Sequence, residues 1–102
     1  MAFEFLVGGN PINQLQVTPG DQIQIVLRVD GADAQVGHRF KASAPGLNFT
    51  TPEIEIQQVQ GGVAELAFDA PAGFAGVGNH VISIDQIVPG IGAVAQLPVS
   101  VV

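Results

Sequence analysis

The sequence predicts an all-β sandwich of about seven short antiparallel strands. Three observations carry that expectation. Apolar and polar residues alternate with period 2 in one stretch after another, the pattern of a strand with one buried and one wet face. Turn signals rich in Gly, Pro, Asn and Asp recur roughly every 8–12 residues. No 3.6-residue period outlasts a single turn, so no helix is expected.

The clearest stretch is Thr18-Pro-Gly-Asp followed by Gln22 to Asp30. Pro19 and Gly20 make a turn, because Pro presets φ and Gly tolerates φ > 0. In the strand that follows, Ile23, Ile25, Leu27 and Val29 share one face. Gln22, Gln24 and Arg28 share the other, with Val26 the one apolar exception.

Taken in order, Phe3, Phe5 and Val7 alternate with Glu4 and Leu6, and Gly8-Gly9-Asn10-Pro11 breaks that strand. Leu15 and Val17 form a second piece. A strand split by such a kink often changes sheets at the edge of a sandwich. Asp30 to Ala34 reads as a loop, and His38, Phe40 and Ala42 begin the next inward face. Leu47 to Thr51 is ambiguous, and Pro52 limits pairing there. Ile54 with Ile56, then Ala64 with Leu66 and Phe68, mark two further strands around a Gly61-Gly62 turn. Asp69 to Gly78 is a loop by composition. His80, Ile82 and Ile84 face inward on the next strand, Val88-Pro89-Gly90 turns the chain, and Ala93 to Val101 alternate to the end. Pro98 has no N–H, so this last strand should lie on an edge or bond through one side only.

The predicted core is Ile23, Ile25, Leu27, Phe40, Leu66, Phe68, Ile82, Ile84, Leu97 and Val99. Outward ion pairs are expected between Arg28 and Glu65, and between Asp85 and Arg39 or Lys41.

The chain has 102 residues, 47% of them hydrophobic. That is enough for one domain with one core, spanning 1–102 as an N-terminal strand and kink (1–13) and a sandwich (14–102). There is no Cys, hence no disulfide, thiolate metal site or cysteine nucleophile. Three basic residues stand against nine acidic ones, a formal charge of −6, which speaks against nucleic-acid binding. No apolar run is long enough to span a bilayer, so no membrane insertion is expected. Met1 to Phe5 lacks the basic and long apolar regions of a signal peptide. The chain is expected to be a small cytoplasmically made protein or a segment of a larger exported one.

Three motifs resemble the bacterial and phage immunoglobulin-like domains. Val17-Thr-Pro-Gly-Asp-Gln-Ile-Gln-Ile resembles the V-x-P-G-D-x-V-x-V that opens their second strand. Ala67-Phe-Asp-Ala-Pro-Ala with Gly78-Asn-His-Val-Ile-Ser-Ile resembles their F-x-A-P … G-x-Y-x-I-x-V link into the sixth. Leu97-Pro-Val-Ser-Val-Val resembles their closing strand. The resemblance covers roughly residues 14–102, and it departs at His80, where these domains usually carry Tyr. It implies a Greek-key, immunoglobulin-like β-sandwich. It also implies a setting: a phage virion protein such as a capsid decoration or accessory protein, or else one repeat of a bacterial surface adhesin.

Candidate chemistry is sparse. His38 and His80 fall on otherwise apolar faces and read as buried, hydrogen-bonded histidines rather than ligands. Asp30 and Asp33 sit in a loop that lacks the ligand pattern of an EF-hand. No Ser/His/Asp set is evident, and the Gly-rich loop 73–78 has no Lys to cradle phosphate. Asn48-Phe49-Thr50 matches a glycosylation acceptor, relevant only in a eukaryotic secretory context. Without Trp or Tyr there is no aromatic platform for a carbohydrate-binding module. The chain is therefore expected to be no enzyme, to hold no cofactor or metal, and to bind a protein partner or itself rather than a small molecule. The candidate contacts are four apolar side chains in two loops, Phe74 and Val77 in one, Val88 and Ile91 in the other, because solvated loop tips are normally polar. In the expected topology these loops lie at opposite ends.

Overall fold

Alternation along the strands builds two sheets packed face to face. The structure, a computed structural model, describes residues 3–47, 49–71 and 77–102. In chain order the strands are β1 (Phe3–Val7), β2 (Asn10–Ile12), β3 (Leu15–Val17), β4 (Gln22–Asp30), β5 (Arg39–Ala44), β6 (Phe49–Thr50), β7 (Ile54–Glu55), β8 (Val63–Pro71), β9 (Gly78–Val88) and β10 (Gly92–Val101). One sheet runs β2-β1-β4-β8, and the other runs β3-β10-β9-β5-β6, with β7 also on β5. Short 3-10 turns occupy Gly31–Asp33 and Pro45–Leu47.

Among the described residues stand ten strands where about seven were expected, and several of them are only two or three residues long. Gly8-Gly9 does not merely end β1. Both residues have positive φ, at 59° and 82°, and Val7 pairs with Asn10 across them. That is a two-residue hairpin loop of the kind that matches strand twist, and it creates β2. The chain then changes sheets, as the kink predicts, and β3 pairs in parallel with the end of β10. At Pro52 the ladder on β5 is interrupted between β6 and β7. Buried Thr51 fills the gap: the Ala42 N–H donates to Thr51 Oγ1 at 3.0 Å, and the Thr51 N–H donates to the Ala42 carbonyl at 2.9 Å.

Nine of the ten predicted core residues are buried, and Ile23, near the start of β4, is half-buried against them. Two aromatic pairs bridge the sheets. Phe3 meets Phe40 edge to face at 5.9 Å between centroids, and Phe49 stacks on Phe68 at 6.5 Å. The outward apolar residue Val26 also finds its reason. Pro11, Leu6, Val26 and Ala67 stand in register across β2, β1, β4 and β8, an apolar row on the outer face in which Leu6 is buried.

The neighbouring outward row is Glu4, Arg28 and Glu65, again in register. Arg28 reaches Glu4 at 3.5 Å and Glu65, the expected partner, at 3.6 Å. With side chains 43–54% exposed, each pair is worth less than about 1 kcal/mol. The expected pairing of Arg39 with Asp85 does not form. Arg39 instead binds Glu55 at 3.0 Å and lies 3.9 Å from Glu53, because β7 brings those carboxylates alongside β5. Lys41 stands opposite Asp85 in the β5–β9 register.

The turn before β4 forms as expected. The Asp21 N–H donates to the Thr18 carbonyl at 3.1 Å, and Gly20 takes φ of 95°, open to glycine at little cost. The Asp21 carboxylate accepts from the Thr18 N–H and hydroxyl, both at 3.0 Å, and these bonds hold its pKa below the usual 3.8. A carboxyl whose pKa is depressed by folding stabilises the native state above its unfolded value, and that contribution is lost as pH falls through the folded value. Asp21 should therefore titrate below the usual aspartate value of 3.8 by NMR. Asp21→Asn should flatten the acid limb of the stability curve, and a normal Asp21 titration would remove this account of the turn.

Candidate interaction surfaces

The register fixes which loops share an end. Arg39 pairs with Val88, Asp30 with Val63, and Phe3 with Val29. The loops 31–38, 56–62 and 88–92 therefore cluster at one end of the sandwich. Val77 and the C-terminus lie at the other, since Val101 pairs with Gly78.

At the first end the backbone is pinned. The Gly31 N–H donates to the Gly62 carbonyl at 3.1 Å, the Gly37 N–H to Ile56 at 3.0 Å, and the Ile56 N–H to His38 at 2.9 Å. Ala34 is buried under this loop, and His38 Nδ1 lies 3.1 Å from the Asp33 carbonyl. His38 is hydrogen-bonded as expected but only half-buried. Three side chains stand out from this end: Val36 at 64% exposure, Val88 at 38% and Ile91 at 86%. Val36 thus stands exposed on a hydrogen-bonded loop, and Val88 and Ile91 stand exposed at the same end.

Val88 and Ile91 were anticipated; Val36 was not, although it is the one large apolar residue in an otherwise polar or small loop. Val77, also anticipated, is 71% exposed but sits at the opposite end with Val102. Phe74 lies outside the described residues. His80 is half-buried rather than buried, beside the 3-10 turn at Pro45–Leu47. Among the described residues no three His, Asp or Glu side chains gather where a metal could be held, and no helix is long and apolar enough to cross a membrane.

A second feature lies along one side. From Gly92 to Pro98, β10 pairs with β9 alone, and β3 covers its other edge only from Val99 onward. This meets the expectation for Pro98: beside the residue with no N–H, the outer ladder stops. The register slips between Ala93 and Ala95, a bulge at Val94. Between this edge and β1–β2 runs an open groove of about 1030 Å³, lined by Phe3, Ile12, Val94 and Ala95 with Glu4, Arg28 and Asp30 at its rim. No protein-family model matches the chain, and no curated protein matches it.

Proposed function

We propose that the chain is a non-catalytic, immunoglobulin-like interaction module that docks on a larger protein assembly, a phage virion, as a decoration or accessory protein. The observation that carries the docking mode is the exposure of three apolar side chains, Val36, Val88 and Ile91, at one end of the sandwich. Supporting the fold reading, β4 lies beside β8 in one sheet and β10-β9-β5 run together in the other. The three sequence motifs support the setting. With a formal charge of −6, the partner is a protein surface with an apolar patch, not nucleic acid.

The test is co-sedimentation of the purified chain with particles of the phage that encodes it, wild type against Ile91→Ser. Binding is expected for the wild type and should change little with salt, since apolar contacts carry it. Ile91→Ser should weaken it more than about tenfold with an unchanged melting temperature, as expected of an exposed anchor. No co-sedimentation of the wild type, or a lower melting temperature with undiminished binding, overturns the reading.

A further inference from the structure

We infer that the fold closes every bond that a protease specific for basic residues could cut, so that such cleavage waits for unfolding of the whole domain. The chain has three basic residues, Arg28, Arg39 and Lys41, and none is followed by Pro, so the sequence offers three cuttable bonds. Each lies inside a strand. Arg28 is on β4, and Arg39 and Lys41 are on β5. None lies at a loop tip, where nicking ordinarily concentrates. The inference does not depend on what the chain docks on.

Two features hold these bonds shut. The first is alternation: on a strand, an outward basic side chain is followed by an inward one. Here the following residues are Val29, Phe40 and Ala42, all in the core and at most 2% exposed. A protease grips residues on both sides of the bond it cuts, so it would have to draw one of these side chains out of the core. The second is pairing on both edges. Val29 stands between Phe3 of β1 and Ala64 of β8, and Phe40 between Gln86 of β9 and Ile54 of β7. Ala42 stands opposite Ile84 of β9. On its other side the Ala42 N–H, which belongs to the Lys41–Ala42 bond itself, donates to Thr51 Oγ1 at 3.0 Å. Freeing β4 or β5 therefore breaks ladders on two sides and opens the shared core, which is the global transition and not a local one. The weakest cover is that of β6 and β7, two residues each. Their fraying bares one edge of β5 but leaves its ladder with β9 in place.

Trypsin digestion of the intact chain in increasing urea tests the inference. Loss of the 10.5 kDa species is followed by mass spectrometry, and the activity of trypsin itself at each urea concentration is corrected with a small substrate. When opening and closing are fast relative to cleavage, the rate tracks the population of the open form. The expected rate without urea is at least about a thousandfold below the rate past the unfolding midpoint. Its logarithm should rise with urea at the slope of equilibrium unfolding, because the same surface is exposed in both. Leu97→Ala, a fully buried position on β10 and so outside both basic strands, should speed cleavage by the factor by which it raises the unfolding constant. Cleavage that does not respond to urea below the midpoint overturns the inference, and so does cleavage that Leu97→Ala leaves unchanged. A first cut confined to Arg39 and Lys41, with a slope shallower than that of unfolding, also overturns it, since β5 would then open locally. Should Leu97→Ala fail to fold, the wild-type slope and the position of the first cut decide.

Discussion

Leu27→Ala is expected to lower stability by about 2–5 kcal/mol, a large share of the 5–15 kcal/mol typical of a domain. Leu27 is 1% exposed at the centre of β4, paired with Phe5 on one side and Leu66 on the other. Both neighbours are buried, so the space left by truncation is walled by paired strands that cannot collapse into it without breaking their ladders. Urea denaturation measures the loss. The slope should stay the same while the midpoint falls, because the native fold and its exposed area on unfolding are retained. A loss below about 0.5 kcal/mol would mean that this side chain does not face a packed interior.

Gly46→Ala is expected to cost about 1–3 kcal/mol, although Gly46 is exposed and a surface substitution would ordinarily be nearly neutral. The reason is the His80 ring. A Cβ on Gly46 would lie 2.7 Å from His80 Nδ1 and 3.5 Å from its Cε1, closer than atoms pack without displacement. His80 stands half-buried on β9, opposite buried Val99. The 3-10 turn or the ring must move. The decisive measurement is a double-mutant cycle. In a His80→Ala background the cost of Gly46→Ala should fall below about 0.5 kcal/mol, because the obstructing atoms are gone. An equal cost in both backgrounds would place the penalty in the turn's backbone and not in this contact.

The two substitutions mark the boundary between what the sequence makes legible and what it does not. Leu27 could be assigned inward from residues 22 to 30 alone, since period 2 assigns every side chain of a strand once one face is known. The backbone chemistry of Pro and Gly located the turn at Pro19-Gly20, the change of sheet before β3 and the interrupted edge at Pro98. The contact between Gly46 and His80 could not be found that way. It joins residues 34 positions apart on elements whose approach depends on how β5 and β9 pair. Arg39 fails for the same reason: its partner was set by where β7 pairs on β5, which local alternation does not show.

By itself the sequence determined an all-β chain, the inward face of each long strand and a surface of acidic charge, because these follow from local alternation and composition. Only the tertiary structure decided that Val36 shares an end with Val88 and Ile91, and that Leu6 and Val26 join in one outer row. Those are matters of register between distant strands. Alternation fixes which way a side chain points, but not which strand lies beside it.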